Sequence, residues 1–351
     1  MKAVLGLENG EYIVGNGFGA EGSCTGELVF TTQMSGYMES LTDPSYAGQI
    51  LMFTYPLIGN YGVDEQNFQS PKVNAHGCVV HEVCKRPAAN KPLKTFFEEN
   101  SLLGISGVDT RKLTIKTRIE GSLRAALVTG DNSPEYAVEL ARAAKPISDI
   151  NLLPQVSIKE PCRIKGKGKR IAVIDLGIKK NIAVSFRKRG ADLHMFPYNA
   201  KASEVEACKP EAIFFTNGPG DPAFATDAVE CAKHFMGEIP VFGICMGNQI
   251  LARAFGAETY KMKFGHRGSN QPVRHKDGSI YITTQNHGFA VDRDTLPGDC
   301  GVLFENVNDN SVEGIYSDDL DVYAVQFHPE AFGGPRDTES PVFDMMYRRI
   351  P

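Results

Sequence analysis

The chain has 351 residues, 42% of them hydrophobic and 23% charged, with a formal net charge of -5. A length of this order divides into two domains with separate cores, and the weak negative balance gives no basis for nucleic acid or an anionic membrane as partner. No run of about 18 apolar residues occurs, residues 1–10 lack the apolar core of a signal peptide, and eight cysteines are scattered without a C-x-x-C pair, so a soluble, cytoplasmic protein with reduced thiols is expected.

In chain order, residues 1–153 carry short strand-like runs such as Ala3–Leu7 and Glu27–Phe30, separated by Gly, Asn and Pro, and read as a mixed α/β domain. Gly15, Gly17 and Gly19 have the spacing of a dinucleotide loop, but no helical pattern follows them and a turn is expected. Asp109 and Arg111 read as a fold-stabilising or interface pair in preference to a catalytic one. Residues 154–169 are basic and punctuated by Gly and Pro, which reads as a linker; no Gly-Lys-Ser/Thr follows to make it a phosphate loop.

Residues 170–351 alternate between strand and helix patterns: strands at 171–175, 191–196, 212–215 and 241–244, helices at 181–189, 225–236 and 248–255. The alternation predicts an α/β domain with an open, mostly parallel sheet, helices on both faces, and ligands at the carboxyl ends of the strands. Further strands are expected at 279–285, 301–305 and 322–327.

The chemistry concentrates at those strand ends. Gly243-Ile244-Cys245-Met246-Gly247 ends an apolar strand and opens a helix, a spacing that projects a thiol from a sharp turn toward a helix N-terminus, where thiolate is favoured. His328, closing Val322–Phe327 and followed by Pro329 and Glu330, is the candidate base, with Glu330 holding its tautomer. Thr216–Pro222, glycine-rich and placed after a strand, can join the backbone N–H of Met246 in an oxyanion hole. For His287, between Asn286 and Gly288, a structural role is favoured over catalysis.

Four segments resemble, in order, the class I, triad-type glutamine amidotransferases: Asn217-Gly218-Pro219-Gly220-Asp221-Pro222, Gly243–Gln249, Gln285-Asn286-His287-Gly288-Phe289 and Phe327-His328-Pro329-Glu330. In the first half, Met34–Tyr37, Leu41–Tyr46, Thr54–Asn60 and Gly107–Thr114 are similar to the small-subunit family of carbamoyl-phosphate synthase, whose amino-terminal domain other amidotransferases lack. The resemblance covers nearly the whole chain.

It implies a Cys245, His328, Glu330 triad, and glutamine bound by Ser45, Gly218, Gly220, Met246, Gln249, Asn286, Gly288 and Phe289, with no metal. It further implies hydrolysis of L-glutamine to glutamate and ammonia through a cysteinyl thioester. The implied partner is a large synthetase subunit that uses ATP, Mg and bicarbonate to make carbamoyl phosphate for arginine and pyrimidine synthesis; this chain itself carries no cofactor. Two departures from the family pattern stand at the elbow, Asn248 where histidine is common and Met246 where leucine is usual. Two other classes compete with this reading: a stand-alone thiol hydrolase of γ-glutamyl compounds, which has no obvious need for the amino-terminal domain, and a non-catalytic scaffold, whose signature, loss of a triad residue, is not found.

Overall fold

The computed structural model describes residues 1–331 and 333–351, and the chain separates into two compact units, Met1–Ile150 and Asn151–Pro351. In the first unit the strands are β1 (Lys2–Leu7), β2 (Tyr12–Gly19), β3 (Gly22–Thr31), β4 (Gln49–Phe53), β5 (Leu57–Ile58), β6 (Gly77–Val79), β7 (Glu82–Val83), β8 (Leu103–Ser106) and β9 (Arg124–Thr129). Strands β1-β2-β8-β6-β4-β3-β9 close into a barrel, while β5 and β7 pair apart from it. The apolar runs of β3, β4 and β6 supply Val29, Leu51, Phe53 and Cys78 to a buried core shared with Phe18, Phe96 and Phe97.

The glycines at 15, 17 and 19 do not form the expected turn; they lie in β2, between β1 and β8. The reason is steric: a Cβ on Gly15 would come within 2.5 Å of the Ser106 carbonyl oxygen, so glycine there admits the neighbouring strand. Asp109 caps the helix Thr110–Glu120, its Oδ1 accepting from Lys112 N–H at 2.9 Å.

The second unit holds β10 (Cys162–Ile164), β11 (Arg170–Asp175), β12 (Asp192–Pro197), β13 (Ala212–Phe215), β14 (Val241–Ile244), β15 (Thr259–His275), β16 (Ile280–Val291), β17 (Gly301–Asn306), β18 (Val312–Ser317) and β19 (Val322–Val325) in one sheet of order β10-β12-β11-β13-β14-β19-β18-β17-β15-β16. The block β12-β11-β13-β14-β19 is parallel. From β15 to β19 the described residues contain no crossover helix, so these strands return antiparallel to one another and extend the sheet. The stretch expected to be a linker contributes β10, which pairs antiparallel with β12 at the sheet edge.

Consecutive residues of the parallel strands serve opposite faces. Along β13, Ile213 and Phe215 join the core formed with the helices Thr226–Phe235 and Met246–Ala254, whereas Ala212 and Phe214 join the core formed with Lys180–Lys188 and Glu339–Arg349. Burial on both sides explains why these strands read as uninterrupted apolar runs. Among the described residues no helix is long and apolar enough to cross a membrane.

Candidate active site

The turn after β14 is tightly constrained. Cys245 has φ 57° and ψ -104°, a conformation that non-glycine residues rarely adopt and that only a surrounding structure can hold. Its flanking glycines are sterically required. A Cβ at Gly247 would lie 2.1 Å from the Phe215 carbonyl oxygen, and one at Gly243 would lie 2.6 Å from the carbonyl carbon of Gly247. Cys245 N–H donates to the Val325 carbonyl at 2.8 Å, which pins the turn to β19, and the buried Sγ donates to the Asn286 carbonyl at 3.6 Å.

His328 reaches the same edge because β14 and β19 are parallel neighbours, with Ile244 in register with Val325. Its backbone N–H donates to Thr284 O at 2.8 Å, tying it to β16. Nδ1 lies 2.7 Å from Glu330 Oε1 and carries the hydrogen, since a carboxylate only accepts. That tautomer leaves Nε2 as the basic nitrogen; it is buried and makes no hydrogen bond among the described residues.

Sequence reasoning missed one member of this group. Lys179, in the loop between β11 and the helix Lys180–Lys188, places Nζ 2.9 Å from Glu330 Oε1, with both side chains buried. Burial alone would raise the Glu330 carboxyl, but Lys179 and His328 outweigh it and hold it down at about 2. A lysine beside a second lysine in a loop carries no pattern that separates it from solvated charge, so no signal in the chain marked it.

The loop after β13 is tied to the elbow. Gly247 N–H donates to Thr216 O at 3.0 Å, and Asn217 Oδ1 accepts from Lys179 N–H at 3.0 Å. Gly218 and Gly220 therefore stand in a loop braced on both sides, next to the strand end that bears the thiol. Met246 is the first residue of its helix, so its N–H has no acceptor within the helix.

β16 carries Asn286, whose carbonyl meets the thiol, and further along Gly288 and Phe289. Gln249, buried one turn into the elbow helix, donates through Nε2 to the Phe289 carbonyl at 2.7 Å and to Gln326 Oε1 at 3.1 Å. Asn248 Nδ2 also reaches Gln326 Oε1, at 3.3 Å, in a buried amide cluster that leaves Asn248 Oδ1 and Gln326 Nε2 without a hydrogen-bond partner among the described residues. Ser45 belongs to the first unit, in the turn Pro44–Tyr46, its N–H held by Asp43 Oδ1 at 2.9 Å. The second unit thus gathers every other expected site residue at one edge of its sheet: a thiol on a strained turn, an oriented imidazole with a free basic nitrogen, a buried carboxylate and backbone donors. This set is suited to acyl transfer through a covalent thiol ester.

Residues 172–347 match the family model described as glutamine amidotransferase class-I, and residues 5–127 match carbamoyl-phosphate synthase small chain, CPSase domain. Proteins named carbamoyl phosphate synthase small chain are similar over almost their full length: that of Methanosarcina acetivorans is 53% identical, covering 98% of this chain and 97% of the relative. The corresponding protein of Archaeoglobus fulgidus is 46% identical with 96% of each covered, and that of Bacillus cereus 42% identical with 96% and 93% covered. The elbow, the imidazole–carboxylate pair and these matches together establish that the chain belongs to the carbamoyl phosphate synthase small chain family and carries a class I glutamine amidotransferase domain.

Proposed function

We propose that this chain is the glutaminase subunit of a glutamine-dependent carbamoyl phosphate synthase, acting in the cytoplasm and delivering ammonia to a large synthetase chain. The observation that carries the reading is the buried pair His328–Glu330 at the same sheet edge as Cys245, with His328 Nε2 left unpaired.

In the proposed reaction Nε2 takes the thiol proton and Sγ attacks the side-chain amide carbon of L-glutamine. The oxyanion is met by the Met246 N–H and the loop carrying Gly218 and Gly220. As the C–N bond breaks, the imidazolium returns its proton to the leaving nitrogen, and ammonia departs. Water, deprotonated by the same nitrogen, then attacks the γ-glutamyl thioester; the C–S bond breaks, and glutamate leaves with Cys245 regenerated. Glu330, itself held by Lys179, keeps Nδ1 protonated and stabilises the imidazolium. Gln249, Asn286, Gly288 and Phe289 are assigned to the glutamine ammonium, carboxylate and amide, through amide and backbone groups.

ATP, Mg and bicarbonate chemistry is assigned to the partner. The test is glutamate release from glutamine by the wild-type chain and by Cys245→Ser, each with and without a carbamoyl phosphate synthase large chain, ATP and bicarbonate. Hydrolysis that rises with the partner and vanishes in the serine form supports the reading; hydrolysis indifferent to the partner refutes the subunit role, and none under any condition refutes the activity.

A further inference from the structure

Outside the triad, His266 on β15, His287 on β16 and Glu313 on β18 are buried with their ligand-capable atoms within 4.8 Å of one another. His266 Nδ1 is 3.1 Å from Glu313 Oε1, and its Nε2 is 2.9 Å from Asp309 Oδ2. A ring that meets a carboxylate oxygen at each nitrogen needs a hydrogen on both. Burial disfavours the charge, yet Asp309 and Glu313 outweigh it and raise His266 to about 9.

The same donors have the composition of a divalent-metal site. Asn306 decides against one. Its Oδ1 is occupied by the Asn308 N–H at 2.9 Å, which fixes the amide so that Nδ2 donates to Glu313 Oε1 at 3.3 Å and faces His266 Nδ1 at 3.5 Å. An N–H therefore points into the space where a metal would require lone pairs, and the cation of the cluster is the imidazolium.

The cluster continues to the site. Glu313 Oε1 lies 3.8 Å from His287 Nε2, beyond hydrogen-bond reach, and burial pushes the His287 imidazole down so that the ring stays neutral; the link runs through His266, whose ring packs edge to face with His287 at 5.0 Å between centroids. His287 Nδ1 donates at 2.8 Å to the Phe289 carbonyl, the same oxygen that accepts from Gln249 Nε2 at 2.7 Å. Both lone pairs of that carbonyl are thereby used, one by the buried cluster and one by the elbow helix. His287 also sits between Asn286, whose carbonyl takes the Cys245 thiol, and Gly288.

We propose that Glu313 is a positioning residue for glutamine binding: it holds the His266 ring against His287 and so fixes the 286–289 segment of β16 against Gln249. This rests on the glutaminase reading for the identity of the ligand. Asp309 is half-exposed, so the line of contacts runs from solvent to the site.

The experiment compares wild type, Glu313→Gln and Asp309→Asn by steady-state glutaminase kinetics across pH, and measures glutamine affinity calorimetrically in the Cys245→Ser background. Glu313→Gln is expected to raise KM and weaken affinity by the same factor, roughly tenfold, with kcat changed less than about threefold. In wild type, KM should climb as pH passes the His266 value of about 9, and Asp309→Asn, which removes one of the two carboxylates on His266, should move that rise to lower pH. Equal KM and affinity in all three chains overturn the proposal, as does a loss confined to kcat. Stoichiometric zinc in the purified chain overturns the imidazolium. Failure of the wild-type and Cys245→Ser chains either to turn over or to bind glutamine refutes instead the functional reading on which it rests.

Discussion

Cys245 is held in its positive-φ conformation by neighbours that leave no room for change. Gly247→Ala would push a Cβ against the Phe215 carbonyl at 2.1 Å, so the elbow must open, and glutaminase activity is expected to fall at least about a hundredfold while far-ultraviolet circular dichroism stays unchanged. Lys179 is the counter-case, a residue outside the expected site whose ammonium meets the buried Glu330 carboxylate. Lys179→Met leaves Glu330 buried with the His328 Nδ1–H as its remaining partner; removing one member of a buried pair typically costs about 3–5 kcal/mol, read as a lower midpoint in denaturant unfolding, and kcat should drop with it. An unchanged midpoint would show that water replaces the ammonium.

At the level of elements, the site is an intersection of β14, β19, β16 and the helix Met246–Ala254. The Phe289 carbonyl is where strand and helix meet. Gln249→Ala strips the helix of its donor to that oxygen and is expected to raise KM for glutamine roughly tenfold, consistent with a lost buried hydrogen bond of about 1–2 kcal/mol. The β15–β18 cluster gives the second unit a pH signature. The folded-state value of His266 lies above the ordinary imidazole value of about 6.5, so its stabilisation is complete below that pH and lost as pH rises through about 9. Thermal midpoints measured from about pH 7 to about pH 10 should fall in wild type and fall less in Glu313→Gln; parallel curves would contradict the assignment.

Much of this was legible in the chain because the signals were local. Glycines two residues either side of Cys245, and Pro329 between His328 and Glu330, announce their turns, and the strands at 212–215 and 241–244 read off their apolar runs. Strand β15 was not legible. Its 17 residues are interrupted by Gly265, Gly268 and Pro272, and its pairing with β16 shifts register between Lys261 and His266 and again between Gly268 and Gln271, so no alternation survives. Lys179, Gln326 and Glu313 were missed for a related reason: each acts through a partner distant in sequence, and only the folded sheet brings the two together.

For the whole molecule, the division of labour is the main consequence. Both family matches fall on domains of a small chain, and nucleotide chemistry is proposed for the partner. The purified chain given glutamine, ATP and bicarbonate should therefore release glutamate without forming carbamoyl phosphate, and carbamoyl phosphate should appear once the large chain is added, as followed by trapping the product. The most direct test of the central claim is intact-protein and peptide mass spectrometry of the chain quenched in acid during glutamine turnover. A single added γ-glutamyl group is expected on the peptide containing Cys245 and absent from Cys245→Ser; glutamate release with no such adduct, or with the adduct on another residue, would contradict the proposed thioester route.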